Sequence, residues 1–258
     1  MEEHTAFETA HRMLADAEQI TVLTGAGMST ASGIPDFRGP QGVWTLDPEA
    51  ERVSTLSYYL SDPAVRKAAW QRRTWSPVFS AEPNDAHRAL ADAERSGRLR
   101  AIITSNTDGL HQLAGSTNVI ELHGNARRWR CESCRRTGPM TEMLERVQAG
   151  EDDPNCPACG GIVRATTILF EENLDPEVID AAVAAASDCD VFLAVGTSLA
   201  VYPAAGLLPL ALRSGARAVI VNAEETDYDH YAWAVIRERI ESVLPRLLAD
   251  EASAEPAP

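Results

Sequence analysis

Residues 20 to 29 read Ile-Thr-Val-Leu-Thr-Gly-Ala-Gly-Met-Ser, an apolar run that leads directly into a glycine-rich turn. A short, mainly apolar run of this kind is typical of a strand buried on both faces, as in a parallel sheet. Glycines between a strand and a helix start let backbone N–H groups approach a pyrophosphate closely. Thr30 replaces the third glycine of the usual dinucleotide pattern, so this stretch alone leaves both a nucleotide site and a simple tight turn open.

Similar apolar runs recur along the chain, and segments with helical periodicity, such as residues 84–96 and 176–187, separate them. Strands that alternate with helices predict an α/β fold built on a doubly wound, Rossmann-like parallel sheet. The predicted strands are Ile20 to Thr24, Ala101 to Ser105, Val119 to Leu122, Thr167 to Phe170, Asp190 to Val195 and Ala218 to Asn222.

Four of the five cysteines form two Cys-x-x-Cys pairs, Cys131 with Cys134 and Cys156 with Cys159, separated by 21 residues. This spacing is close to that of four-thiolate zinc sites, and because the protein fills all four positions the zinc should be structural. A redox dithiol is the alternative. Cys189 precedes an apolar strand and is expected to be a buried small hydrophobe.

Two segments interrupt the alternation of strands and helices. Residues 35–83 contain no clear strand, and residues 125–165 contain both cysteine pairs. We expect these segments to form a second, smaller lobe, helical in the first segment and a zinc ribbon in the second. The last ten residues have little to bury, so a disordered tail is expected there.

The charge of the chain excludes several classes of function. Among its 258 residues, 38 acidic side chains oppose 23 basic ones, for a net charge of -15, and Lys67 is the single lysine. Lysine-dependent phosphate loops and Schiff bases are therefore disfavoured, and neither nucleic acid nor an anionic membrane is an expected partner. The N-terminus is acidic and lacks the basic region of a secretory signal, so we expect a cytoplasmic protein that does not span a membrane.

Polar side chains follow several of the predicted strands, where a parallel sheet faces its ligand. Asn106 and Asp108 can cap the next helix, contact a ligand, or do both. His123 follows the third strand and is placed as a general base, with His111 as its only rival among the histidines. Small polar loops also follow the later strands at Gly196, Thr197, Ser198, Asn222 and Glu224.

Taken in order, these motifs resemble the sirtuins, which are NAD-dependent protein lysine deacylases. The resemblance spans roughly residues 15 to 245, and six ordered motifs together are far more specific than any one of them. They are Gly-Ala-Gly-Met-Ser at 25–29, Gly-Ile-Pro-Asp-Phe-Arg-Gly at 33–39, Asn106 to His111, His123-Gly124, the two cysteine pairs, and Gly-Thr-Ser at 196–198.

The resemblance implies a reaction in which the acyl group of an acyl-lysine passes to ADP-ribose, nicotinamide is released and NAD is consumed. His123 would take a proton from a ribose hydroxyl, and the zinc would be structural. The residues it assigns to NAD are Gly25, Ala26, Gly27 and Ser29 at the pyrophosphate, Asp36, Phe37 and Arg38 in the cofactor loop, Ser105, Asn106, Thr107 and Asp108 at the nicotinamide, and Gly196, Thr197, Ser198, Asn222, Ala223 and Glu224 at the adenosine half.

The resemblance also implies a layout and a class of substrate. An acyl-lysine peptide would add as a strand between Thr167 to Glu172 and Val201 to Pro203, and acetylated metabolic enzymes are candidate substrates. Residues 1–248 would form a single catalytic domain and 249–258 a tail. The large lobe would take about residues 1–34, 84–124 and 166–248, and the small lobe about 35–83 and 125–165.

Some residues depart from the pattern of the family. Ser105 and Thr107 replace its usual Gln and Ile or Val beside Asn106, and Glu171 stands where a Gly is usual. The branch of the family that prefers acidic acyl groups carries a Tyr and an Arg three residues apart in the small lobe. The nearest match in this sequence, residues 70–73, retains an Arg without the Tyr, which favours acetyl-lysine. Residues 39–45 resemble the branch that includes long-chain deacylases and ADP-ribosyltransferases, so those activities stay open.

Two other classes of function compete with a deacylase. A dehydrogenase would use the same glycine turn for hydride transfer, although Thr30 and the cysteine pairs disfavour it. A zinc-ribbon module that binds acyl-lysine without turnover is the second alternative.

Overall fold

The computed structural model describes residues 5–36 and 49–249. The expectations for Phe37, Arg38, residues 39–45 and the tail from residue 250 onward lie outside this range. Its strands are β1 (Ile20–Thr24), β2 (Leu99–Thr104), β3 (Val119–Glu121), β4 (Arg128–Cys131), β5 (Thr137–Pro139), β6 (Val163–Ala165), β7 (Val191–Val195), β8 (Arg217–Val221) and β9 (Ala234–Ile236). Its α-helices are α1 (Ala6–Ala15), α2 (Glu49–Val53), α3 (Leu56–Ser61), α4 (Pro63–Thr74), α5 (Asp85–Arg95), α6 (Leu110–Leu113), α7 (Met140–Gln148), α8 (Pro176–Ser187), α9 (Leu207–Arg213) and α10 (Ile240–Leu247).

Six strands form the large parallel sheet in the order β3-β2-β1-β7-β8-β9. Along the chain, β2 and then β3 are added on one side of β1. The later strands β7, β8 and β9 are added in turn on its other side. This is the order of a doubly wound dinucleotide-binding sheet, so the predicted fold class is confirmed. Its switch point lies between β1 and β7, and ligands bind beyond the carboxyl ends of such neighbouring strands.

Helices cover both faces of this sheet, which explains why β1 and β7 are buried along their whole length. On one face, Val22 and Leu193 pack with Leu14 of α1 and with residues of α5 and α10. On the other face, Leu23 and Phe192 pack with residues of α8 and α9. Each fully buried Leu or Phe contributes about 2–3 kcal/mol to the free energy of unfolding, so these two layers hold the sheet rigid.

The helix α5 is joined to the glycine turn through its N-terminal cap. The Asn84 side chain accepts hydrogen bonds from the backbone N–H groups of Ala86 and His87. Its amide group also donates to Met28 O at 2.9 Å and to Ser32 Oγ at 3.1 Å. One side chain therefore both starts a helix and fixes the turn that follows β1.

A smaller lobe lies outside the large sheet. The strands β4, β5 and β6 form an antiparallel sheet in the order β5-β4-β6. Trp70 of α4, Trp129 of β4 and Met143 of α7 are buried in its apolar core. Long apolar side chains from the two interrupting segments thus supply a second core.

The structure corrects one predicted strand and adds one that the sequence analysis missed. Residues Thr167 to Phe170 form no strand; Phe170 makes only an isolated bridge with Thr55, because its N–H and C=O bond to Ser54 O and Leu56 N. The sixth strand of the large sheet is β9, which the sequence analysis did not predict. None of the described helices is long and apolar enough to cross a membrane.

Two buried histidines, His87 of α5 and His111 of α6, lie side by side near the end of β1. Their ring centroids are 4.9 Å apart, and His111 Nε2 lies 3.0 Å from Thr24 Oγ1. Burial, with a smaller effect of the charge of Arg88, lowers the pKa of His87 from 6.5 to about 4. Burial, with a smaller effect of His87, lowers the pKa of His111 to about 3. Both imidazoles are therefore neutral in the folded protein at neutral pH.

We expect the protein to lose stability as the pH falls from about 6.5 towards 4. In this window the unfolded chain binds a proton at each histidine while the folded chain does not, so acid favours unfolding. The loss for His87 alone is on the order of 2 kcal/mol between pH 7 and pH 5. Urea unfolding at the two pH values measures it, and His87→Gln should show a smaller loss. An equal loss in both proteins would contradict the assignment.

Candidate functional site

The carboxyl ends of β1, β2, β7 and β8 open into one cleft of about 1380 Å³. The loops that follow these strands line it, as the topology requires. Among the residues singled out in the sequence, those that line this cleft are Gly25, Ala26, Gly27, Asp36, Ser105, Asn106, Thr107, His123, Gly196, Thr197, Ser198, Asn222, Ala223 and Glu224. Ser29 and Asp108 lie buried directly behind it.

The glycine turn after β1 packs against the turn after β7 at backbone distance. Gly25 N donates to Val195 O at 3.0 Å, and Gly27 N donates to Gly196 O at 2.9 Å. A Cβ on Gly196 would lie 2.5 Å from Met28 N, and Gly196 has a φ of 59°. Glycine is therefore required there for both space and conformation. The turn continues into two 3-10 turns, Ala26–Met28 and Thr30–Ser32, rather than into the helix expected from the sequence.

A hydrogen-bonded triad joins this turn to the loop after β2. The Asn106 amide Nδ2 donates to Gly25 O at 2.9 Å and to Ser29 Oγ at 3.2 Å. Ser29 Oγ donates to Asp108 Oδ2 at 2.7 Å, and Asp108 Oδ1 accepts from Leu110 N at 2.9 Å. Asp108 therefore caps α6 and fixes Ser29 at the same time. Both amide hydrogens of Asn106 are engaged, which leaves its Oδ1 as the atom available to a ligand.

The orientation of His123 follows from its contact with the same loop. His123 Nδ1 lies 3.1 Å from Ser105 O, and a carbonyl oxygen can only accept. Nδ1 therefore carries the proton, and Nε2 of the neutral ring keeps a lone pair. The side chain is half-buried and lines the cleft, as a general base must. His111, the rival in the sequence, is buried against Thr24 and does not line the cleft.

Sequence reasoning missed the polar contacts that support Asn106 from behind. Thr24 Oγ1 donates to Thr104 Oγ1 at 2.8 Å, and Thr104 Oγ1 accepts from Asn106 N at 3.0 Å. Arg127 Nε also donates to Asp108 O at 2.6 Å. The two threonines had a signal in the sequence, because each is the polar last residue of an apolar strand. Nothing in the sequence around Arg127 indicates its contact with Asp108 O.

Two further loops line the cleft. One is residues 170–174 and the other is residues 201–204. In the first loop Glu171 has a φ of 75°, which is unusual for a residue with a side chain. Its carboxylate accepts from Ser57 N at 2.9 Å and from Ser57 Oγ at 3.0 Å. These contacts tie the loop to the start of α3 in the smaller lobe.

The four paired cysteines converge in the smaller lobe, and their Sγ atoms all lie within 4.8 Å of one another. The separation is 3.5 Å between Cys131 and Cys159 and 3.7 Å between Cys134 and Cys156. Thiolates at about 2.3 Å from a tetrahedral zinc ion are roughly 3.8 Å apart, whereas disulfide sulfurs lie at about 2.05 Å. The donor set therefore fits a structural zinc and not a dithiol about to close. Cys189 is buried elsewhere, as expected.

The sequence model of the Sir2 family matches residues 25–203, which is more than half of the chain. The chain belongs to the Sir2 family. A relative from Streptomyces coelicolor, "NAD-dependent protein deacetylase 2", is 54% identical over 231 residues and covers 89% of this chain and 96% of the relative. "NAD-dependent protein deacetylase 1" from Pyrobaculum aerophilum is 48% identical, with coverage of 88% and 87%.

Solved structures of Sir2 proteins share the fold over almost the whole chain. One, described as "Structural Basis for the Mechanism and Regulation of Sir2 Enzymes", is 39% identical with a TM-score of 0.84 and covers 94% of this chain and 96% of that one. Another, described as "Sir2-p53 peptide-NAD+", is 34% identical with a TM-score of 0.81 and coverage of 92% and 95%. These likenesses confirm the resemblance inferred from the motifs.

The contact between the two glycine turns can be tested with a pair of alanine variants. Gly196→Ala places a Cβ against backbone atoms, whereas Gly97→Ala, at a φ of 82°, meets nothing within 4 Å. Both variants carry a conformational penalty of about 1 kcal/mol, but only Gly196→Ala adds roughly 1–3 kcal/mol of overpacking. Thermal unfolding should separate the two variants, and calorimetry should show weaker NAD binding only for Gly196→Ala. Equal behaviour of the pair would contradict the proposed close contact.

The metal site can be tested by removing one ligand. Cys134→Ser should lower the bound zinc, measured by elemental mass spectrometry, and should lower the melting temperature, because a structural metal contributes directly to folding free energy. Cys189→Ala is the matched control and should keep one zinc ion per chain. A metal-free protein with an unchanged melting temperature would show that the cysteines have no structural metal.

Proposed function

We propose that this chain is an NAD-dependent protein lysine deacetylase that transfers the acyl group of acetyl-lysine to ADP-ribose and releases nicotinamide. The single observation that carries the proposal is that His123, with Nε2 left free to accept, and Asn106, with Oδ1 left free, line one cleft together with the loops at residues 170–174 and 201–204. The relatives named as NAD-dependent protein deacetylases support it.

The residues proposed for NAD, of which Phe37 and Arg38 lie outside the described range, divide among its parts. Within Gly25 to Ser29, the N–H groups of Gly25, Gly27, Met28 and Ser29 already donate to backbone oxygens, so the N–H of Ala26, a residue that lines the cleft, would be the one to meet a pyrophosphate. Asn106, held by Gly25 and Ser29, would orient the nicotinamide carboxamide through Oδ1. Gly196, Thr197, Ser198, Asn222, Ala223 and Glu224 would hold the adenosine half, and Ala26, Asp36, Phe37, Arg38, Ser105, Thr107 and Asp108 complete the proposed cofactor set.

When bound, NAD supplies the ribose carbon that receives the acyl oxygen as nicotinamide leaves. The task of His123 is to accept a proton at Nε2 from a ribose hydroxyl, which turns that hydroxyl into a nucleophile. Ser105 O supports this role, because it accepts from Nδ1 and stabilises the ring once Nε2 is protonated. A zinc ion held by Cys131, Cys134, Cys156 and Cys159 would be structural, because these four cysteines are not among the residues that line the cleft.

The acyl group is proposed to be acetyl. In the segment related to recognition of acidic acyl groups, Trp70 is fully buried in the core of the smaller lobe and Arg73 lies over its ring. None of residues 70–73, which include the exposed Arg72, lines the cleft. No described side chain in residues 70–73 therefore offers a cation for a second carboxylate in the acyl pocket.

The remaining parts of the proposal concern the layout, the partners and the location. Residues 1–248 would form one catalytic domain with the two lobes as bounded above. Acyl-lysine segments of proteins, including acetylated metabolic enzymes, would be the substrates, with no nucleic acid or membrane as partner because the net charge is -15. The use of four cysteines as metal ligands rather than disulfides supports a cytoplasmic location.

The role of His123 predicts a large loss of turnover in His123→Ala. Loss of a general base lowers kcat by roughly 100-fold to 10,000-fold. The measurement is nicotinamide release together with the mass of an acetyl-lysine peptide in the presence of NAD. His230→Ala, which removes an exposed imidazole outside the cleft, is the matched control and should keep full activity.

Other results would favour the competing functions. A rise in the absorbance of reduced cofactor would indicate a dehydrogenase. Peptide binding without nicotinamide release would indicate a binding module. Unchanged turnover in His123→Ala would remove the assigned base.

A further inference from the structure

A buried arginine connects the smaller lobe to one side of the cleft. The side chain of Arg164, on β6, is only 1% exposed. Its Nε donates to Glu132 Oε1 at 2.7 Å, its Nη1 donates to Thr167 O at 2.8 Å, and its Nη2 pairs with Glu172. An arginine this deeply buried must have partners for its charge, and here two carboxylates provide them.

Glu172 uses its two oxygens for different tasks. Oε2 accepts from Leu169 N at 2.8 Å, and Glu172 N in turn donates to Leu169 O at 3.1 Å. Oε1 receives Arg164 and also Arg130 Nη2, the latter at 2.9 Å. One carboxylate therefore closes the turn from Leu169 to Glu172 and fastens that turn to two strands of the smaller lobe.

The other end of this cluster lies within the cysteine site. Glu132 stands between Cys131 and Cys134, and its Oε1 accepts from both Arg130 and Arg164. Two arginines thus lie between two glutamates, and a third, the exposed Arg135, approaches Glu132 Oε2 at 3.9 Å. A continuous set of charged hydrogen bonds runs from the metal-binding turn to the loop that lines the cleft.

The physics of buried charges indicates what this cluster does. The cost of removing charges from water offsets most of their mutual attraction, so such clusters add little net stability. Charge-assisted hydrogen bonds to an arginine are nevertheless strongly directional. The cluster is therefore suited to fixing the orientation of a loop rather than to strengthening the core.

We propose that Glu172 is a positioning residue for the acyl-lysine peptide, held in place by Arg130 and Arg164, and that Glu132 couples this position to the cysteine site. The proposal rests on the proposed function, because it assumes that the loop at residues 170–174 receives the peptide. The glycine turn and Asn106 lie on other loops of the cleft, so the cluster governs peptide binding and not NAD binding.

Two variants test the positioning role. Glu172→Gln keeps an oxygen for Leu169 N but removes the charge, and Arg130→Met removes one cation while Arg164 stays paired. Glu151→Gln is the matched control, because it breaks the ion pair of Glu151 with Arg146 in the same lobe, away from the cleft. The direct measurement is the Kd of a fluorescent acetyl-lysine peptide by anisotropy, alongside the KM values for peptide and NAD.

We expect about a tenfold rise in the Kd and KM for peptide in both variants, because each weakens the charged hydrogen bonds that orient the loop. The KM for NAD should stay within about twofold, and Glu151→Gln should resemble the parent protein. An unchanged peptide Kd, or equal changes for peptide and NAD, overturns the proposal. If Glu172→Gln fails to fold, Arg130→Met decides, because it leaves the buried pair intact.

The coupling to the cysteine site has its own readout. Glu132→Gln should retain one zinc ion per chain and still raise the peptide Kd, whereas retained zinc with an unchanged Kd removes Glu132 from the proposal. Anisotropy does not depend on turnover, so the two proposals fail separately. If the parent protein binds the peptide without releasing nicotinamide, the proposed function fails while the peptide Kd values still decide the role of Glu172.

Discussion

The structure depends on the contact between two turns, Gly25 to Met28 after β1 and Gly196 after β7. Because β1 and β7 are parallel neighbours at the switch point of the sheet, their ends arrive side by side, and the absence of side chains lets the backbones touch. The two turns therefore meet through backbone atoms where they line the cleft. Asn106 donates to Gly25 O in the first turn, so the loop after β2 takes its position from the same contact.

The charged side chains that line the cleft limit which groups can bind an anion there. Among the described residues that line it, Arg239 is the one cation, whereas Asp36, Glu171, Glu172, Glu224, Glu238 and Glu241 are acids. Glu172, Glu238 and Glu241 are paired with arginines. Within the described part of the chain, the cleft therefore offers a phosphate few side-chain cations, and under the proposed function the Ala26 N–H of the glycine turn would be a donor to it. The scarcity of lysine in this chain is consistent with such a site.

Much of the fold was readable from the sequence because it rests on local patterns. β1 and β7 are continuous apolar runs, and Cys131, Cys134, Cys156 and Cys159 have a spacing that few other functions share. What was missed depends on tertiary contacts. The strand β9 was not predicted. Residues 167–170 resemble a strand in sequence, but in the structure they bond to the smaller lobe. The hydrogen-bond partners of Arg127 and Arg164 are distant in the chain.

The position of Glu171 has a consequence for how this protein can change over time. A side chain in the left-handed conformation costs about 1–3 kcal/mol, and the two hydrogen bonds from Ser57 offset that cost. A substitution that removes the Ser57 hydroxyl leaves the backbone strain at Glu171 but removes one of the hydrogen bonds that offset it. A glycine at position 171 removes the strain but also removes the carboxylate to which Ser57 donates. These two positions are therefore expected to vary together among descendants of this sequence, although 114 residues separate them.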